Sequence, residues 1–197
     1  TGKHAHVYEI SGKAIALPLY EGKMLAQCDF SYQGFLAGTG NKTDWQEIPW
    51  SHKHIAAHYL MGEGVVKTLG GTQEKGAFRD IGCATNNRTI YCAAIGCSPC
   101  GNTAIVLGCN NRSSVYLLMP IINSFAFDFL LRLRMAGTHL SQFVMKPSPL
   151  ISPKAAECLG DIAFRLSICD KLFLDNETVS HVHTLFALTN HERLRLR

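Results

Sequence analysis

The stretch FRDIGCATNNRTIYCA, residues 78–93, gathers Arg79, Asp80, Thr85, Asn86, Asn87, Arg88 and Thr89 around one turn between two apolar runs. Arg and Asn are the side chains that meet a base edge through two hydrogen bonds, Arg on guanine and Asn on adenine. Threonine hydroxyls and backbone amides hold phosphate oxygens. Asn86, Asn87 and Arg88 are therefore candidate base readers, with Arg79 and Thr89 beside them as candidate backbone contacts. The plainer reading is an Arg–Asp pair on an Asn-rich turn.

Other residue groups carry weaker chemistry. GTGNKT, Gly38 to Thr43, resembles a phosphate-binding loop but has Asn41 between the glycine and the lysine. Backbone amides cannot cradle phosphates in that arrangement, so a surface loop is expected. CSPC, Cys97 to Cys100, has the spacing of half a zinc site, yet no second CxxC accompanies it. Turn cysteines are the better reading, and no metal ligand is assigned. His54 and His58 have the i, i+4 spacing of metal ligands on a shared helix face, but without the glutamate of HExxH they read as solvated.

The elements that must position these groups are short. AIALPLYEG, AFRDIG, RTIYCAAI, TAIVLGC and SSVYLLM read as strands separated by Gly, Asn and Ser clusters, which predicts a meander-like mixed sheet. Residues 34–46 read as an exposed loop. Residues 120–136 read as a helix with Pro120 in its first turn, an apolar stripe of Ile122, Phe125, Ala126, Phe129, Leu130 and Leu133, and Ser124, Asp128 and Arg132 on the opposite face. Arg132 and Arg134 offset the negative helix end, and Gly137 suits the left-handed residue past it. Capping does not require Thr138 or His139. KPSPLISP reads as an extended connector, and residues 153–197 as helical.

Composition narrows the function classes. The chain has 197 residues, 47% of them hydrophobic, enough for a buried core. A net charge of +4 suits a polyanionic partner without requiring one. No apolar run is long enough to span a bilayer, and TGKHAHVYEI has no signal-peptide core, so a cytoplasmic protein is expected. Most of the cysteines, Cys28, Cys83, Cys92, Cys97, Cys100, Cys109, Cys158 and Cys169, lie in apolar contexts, as free thiols of a reducing compartment do. The missing initiator methionine and the ending HERLRLR point to a piece of a longer protein.

Separated segments, in order, resemble one family. LPLYEGKMLAQCDFSYQG, FRDIGCATNNRTIYCAAI, LMPIINSFAFDFLLRLRMAGTHLSQFVMKPSPLI and the closing ERLRLR are similar to the region that follows the catalytic domain in adenine-specific DNA methylases of the fused restriction–modification and phage-defence type. Where that family continues with FDHR, this chain has Cys28, Asp29, Phe30 and Ser31, and Lys146 stands where a glutamine is common. The resemblance implies a DNA target-recognition domain of the α+β class over residues 1–150, followed by a helical extension, 151–197, cut short at its end. It implies double-stranded DNA as partner and an upstream methyltransferase domain in the same polypeptide. That domain would use S-adenosylmethionine on a flipped adenine. The chain itself contains no NPPY or DPPY and no cofactor loop, so no catalytic residue and no cofactor is expected in it.

On this reading Lys23, Arg79, Arg88, Arg132, Arg134 and Lys146 serve phosphates. Asn86, Asn87 and Arg88 read bases, and Thr138 and His139 touch backbone or bases. The alternative is an interaction module that docks a partner through the apolar helix 120–136.

Overall fold

The run CAAI is apolar throughout because both sides of its strand are covered. A computed structural model describes residues 8–10, 14–40, 42–68, 74–108 and 112–167. Its strands are β1 (Tyr8–Ile10), β2 (Ala14–Leu19), β3 (Gln33–Thr39), β4 (Lys42–Glu47), β5 (Tyr59–Gly62), β6 (Lys75–Arg79), β7 (Cys92–Ile95) and β8 (Ala104–Leu107). Its helices are α1 (Glu63–Thr68), α2 (Arg112–Ile122), α3 (Phe125–Arg132), α4 (Gln142–Met145) and α5 (Pro153–Ser167). The class is α+β.

The central sheet has the order β7-β6-β8 and is antiparallel, with Phe78 opposite Cys92 and Arg79 opposite Ala104. Side chains alternate between its faces. Phe78, Cys92 and Ala94 pack with Val115, Tyr116, Met119 and Ile122 of α2, Phe127 and Leu131 of α3, and Ala163 and Leu166 of α5. Ala77, Ala93, Ile95 and Ala104 face the other way, onto Tyr20, Met24, Leu25, Phe30 and Ile55. Arg79 follows Ala77 by two residues and so shares that second face. The remaining strands form the sheet β1-β2-β5 and the hairpin β3-β4, both antiparallel. Among the described residues the only parallel pairing is the isolated bridge Tyr20–Cys100, so the expected mixed sheet is in fact a set of antiparallel sheets. The β6 strand is central rather than first, which also departs from a meander.

The stretch 34–46 is not a loop. Phe35 pairs with Trp45 and Thr39 with Lys42 across a hairpin. Gly38 (φ 100°) and Gly40 (φ 57°) take left-handed conformations that turn the chain, and a Cβ at Gly38 would meet the Lys42 carbonyl at 2.0 Å. The glycines mark the turn of two exposed strands. SSVYLLM is likewise not a strand but lies within α2, where Val115, Tyr116, Met119 and Ile122 recur at helical spacing on the core face. His54 and His58 share no helix; the chain from 53 to 57 has no regular structure.

The predicted helix 120–136 is two helices. Pro120 lies in the last turn of α2, where it removes a backbone donor, and the chain bends by 62° into α3. Ser124 caps α3 by accepting from the Phe127 amide at 3.1 Å. Asn123, buried at the bend, closes two hydrogen bonds with the Cys92 backbone, at 3.0 Å to N and 2.7 Å to O. It thus acts as a one-residue substitute for a neighbouring strand. The expected faces of α3 are inverted. Asp128 is 3% exposed, whereas Phe125, Phe129 and Leu133 are 74%, 60% and 69% exposed. Gly137 does not cap the helix in a left-handed conformation; α3 ends at Arg132 with Leu133 still right-handed.

The helix α5 packs on α2, with Tyr116 and Phe164 edge to face at 5.0 Å. The first part of the expected extension therefore shares the main core. Residues 168–197, with ERLRLR and Cys169, lie outside the described residues, as does Cys109. Among the described residues no single helix is long and apolar enough to cross a membrane.

Candidate nucleic-acid interface

Arg79 ends β6 on the face away from the helices. Its Nε donates to the Gly22 carbonyl at 2.9 Å and its Nη2 to the Leu25 carbonyl at 2.6 Å, and its guanidinium stacks on Tyr91 at 5.0 Å. Burial holds its pKa below the ordinary arginine value. Arg79 thus ties the 3-10 turn Gly22–Met24 to the sheet, a positioning role in place of the free phosphate contact expected of it. Thr103 adds to this by accepting from the Gly22 amide at 3.0 Å.

The Asn-rich turn is built on α3. Asp128 accepts from the Thr89 amide at 2.6 Å, the Ile90 amide at 3.1 Å and Arg132 Nε at 2.7 Å. Two backbone donors at the end of the turn have no strand to pair with, and this carboxylate satisfies them. That need explains why an acidic residue enters the core. Arg132 then reaches over the turn, Nη1 donating to Ala84 O and Nη2 to Asn86 O and Asn87 O, each at 2.8 Å. Arg132 therefore holds the turn rather than an open phosphate site.

Arg88 and Thr89 must be withdrawn as DNA contacts. Arg88 is 8% exposed; its Nη2 donates to the Asn123 carbonyl and its guanidinium lies under the Phe125 ring at 4.5 Å. Thr89 is 1% exposed. The order of residues in a turn does not reveal which arginine points inward, and here the buried Asp128 selects Arg88. The side chains of Asn86 and Asn87 remain exposed while their carbonyls are held.

Thr138 and His139 come to the same edge. The Gly82 amide donates to Thr138 O at 2.9 Å, and the Leu140 amide to Asp80 O at 2.8 Å, so Ile81 and His139 form an isolated antiparallel bridge. Gly82 is required there, since a Cβ would meet Thr89 O at 2.1 Å. His139 Nδ1 lies 2.6 Å from Asp80 Oδ2, which fixes the ring. Both side chains are exposed. Arg134 and Lys146 belong to the segment after α3; Arg134 donates to Ser148 at 3.0 Å and Lys146 is exposed.

Beside this edge lies a cleft of about 470 Å³, lined by Glu21, Gly22, Lys23, Trp45, Arg79, Ile81, Asn86 and Thr103 among others. It brings Lys23, Arg79 and Asn86 together. Glu21, Trp45 and Thr103 were not anticipated. The available signal was the pairing of Phe35 and Trp45 about a glycine turn, which the loop reading concealed. A second hollow of about 410 Å³, on Arg79, Tyr32, Tyr91, Gln27 and Gln33, adjoins it through Arg79. Its Tyr32 hydroxyl has a raised pKa, from burial first and then from Glu47.

In CSPC, Cys97 is exposed at a bend, and Cys100 is half-buried in the bridge to Tyr20. Among the described residues no group of three or more His, Cys, Asp or Glu is placed to hold a metal ion. Compared with protein-family models, curated proteins and solved structures, the chain matches none.

Proposed function

We propose that this chain is a sequence-specific recognition domain for double-stranded DNA that directs a separate adenine-specific methyltransferase domain of the same polypeptide. S-adenosylmethionine would bind in that other domain. The observation that carries the reading is the edge on which Asn86, Asn87, Thr138 and His139 stand exposed over a backbone fixed by Arg132 and by the 80–82 pairing. Base readout needs such a combination: exposed side chains on a support that does not have to be ordered during binding. The motifs shared with the methylase region supply the second support. Lys23, Arg134 and Lys146 remain the phosphate partners of this reading, since each is exposed. Binding to randomised duplexes at two salt concentrations tests it. Enrichment of one sequence, with affinity falling as salt rises, is the expected result; no affinity for DNA at either salt overturns it.

A second reading has its own observation. Phe125, Phe129 and Leu133 form an exposed apolar row on α3, and apolar rows of this kind mark protein contacts. On that reading the chain is an interaction module without DNA affinity, and a stable complex with a protein partner is expected instead.

A further inference from the structure

We infer that the cleft between the β3-β4 hairpin and the Gly22–Met24 turn binds one unstacked nucleotide, with its base on Trp45. This rests on the DNA reading above and extends it from duplex edge to single nucleotide.

The cleft has the features that a nucleotide requires. Trp45 offers a half-buried indole whose rotamer is fixed, since Nε1 donates to Thr43 Oγ1 at 3.1 Å and Phe35 meets the ring edge-on at 5.8 Å. An indole face stacks any base. Lys23 Nζ lies over that ring, 5.6 Å from its centre, and shares the cleft with the carboxylate of Glu21. The exposed Lys23 ammonium suits a phosphate. Among the described residues Glu21 Oε2 has no hydrogen-bond donor, and His58 Nδ1 lies 3.7 Å from it. Asn86, from the exposed turn, adds an amide that pairs with a base edge. At about 470 Å³ the cleft is in the size range of small-ligand pockets, about 300–1,000 Å³. A duplex does not enter such a hollow; a single base out of the stack does.

The test uses the chain carrying Trp50→Phe, which leaves Trp45 as the sole tryptophan of the two. Its emission and affinity are followed with a fully paired duplex, the same duplex with one unpaired nucleotide, the same duplex with an abasic site, and free dAMP. The unpaired nucleotide is expected to quench Trp45 and to bind about tenfold tighter than the paired duplex, as one stacked base is worth. The abasic duplex should lose that gain. Trp45→Leu should abolish the difference between the duplexes and Trp45→Tyr should restore part of it, which separates stacking from folding. Quenching by dAMP but not by the unpaired duplex upholds the cleft and makes free nucleotide its ligand. Equal affinity for paired and unpaired duplexes, with Trp45 emission unchanged by any probe, overturns the cleft while the DNA reading stands. Binding of no duplex, with dAMP silent, overturns both.

Discussion

Arg132 holds the carbonyl of Asn86 at 2.8 Å from a helix on the far side of the turn, and the same nitrogen holds Asn87. The turn has little else to fix it; the Asn86 amide donates to Cys83 O at 3.1 Å. Arg132→Ala should therefore loosen residues 84–87 and cost about 1.5–3 kcal/mol, the worth of hydrogen bonds to a charged group. Amide exchange across the turn and chemical unfolding check both effects. Arg132→Lys should recover only part of the loss, because lysine lacks the planar fork.

Asp128 is the deeper support. It is 3% exposed and receives two backbone amides and Arg132, with Arg88 Nε 3.9 Å away. Asp128→Ala leaves two buried amides without their acceptor and removes the carboxylate beside the buried Arg88. Urea unfolding should register a loss of about 3–5 kcal/mol, as for other broken buried pairs. Arg88→Ala should lower stability too, with sequence choice unchanged.

These two positions mark the limit of what was legible in the sequence. The central strands were readable because Ala77, Phe78 and the run Cys92–Ile95 are apolar between clear turn residues. Asp128 was not: helical spacing put it opposite a stripe of Phe125, Phe129 and Leu133, and so on the solvent side. The winning term was the unpaired backbone at Thr89 and Ile90, a tertiary demand with no local signature. Arg88 is held inward by the Asn123 carbonyl and the Phe125 ring, with the Asp128 carboxylate 3.9 Å from its Nε. Pro120 misled in a similar way, since a proline fits a first helical turn but here ends one. Lys23, Asn86, Asn87, Thr138 and His139 were legible as exposed polar groups. Their convergence was invisible, because His139 bridges to Ile81 across a long separation.

The thiols should differ in reactivity. Burial pushes the Cys100 thiol up to about 11, whereas the Thr85 hydroxyl, 3.0 Å from the Cys83 sulfur, draws the Cys83 pKa below its ordinary value. A lowered pKa enlarges the thiolate fraction at a given pH, and a raised one shrinks it. Iodoacetamide at mildly alkaline pH should label Cys83 well before Cys100, read by peptide mass spectrometry. Thr85→Val should slow Cys83 labelling.

The exposed row on α3 separates the two functional readings. Phe129 is 60% exposed, so Phe129→Asp should change stability by no more than about 0.5 kcal/mol. If the chain is an interaction module, that substitution should dissociate its partner complex. If it is a DNA-recognition domain, duplex affinity should be unaffected. Co-purification and duplex titration of the one variant distinguish these outcomes.

The central claim is that the Asn86–Asn87 turn selects DNA sequence while the exposed cations supply affinity. The most direct measurement is enrichment from a randomised duplex pool by the native chain, by Asn86→Ala/Asn87→Ala and by Lys146→Ala. The double variant should lose preference at one or two base positions, with about 1–3 kcal/mol of discrimination given up at each base that the asparagines no longer read. Lys146→Ala should weaken binding to all sequences and reduce the salt slope by about 0.9. An identical enriched sequence from the double variant and the native chain would contradict the account.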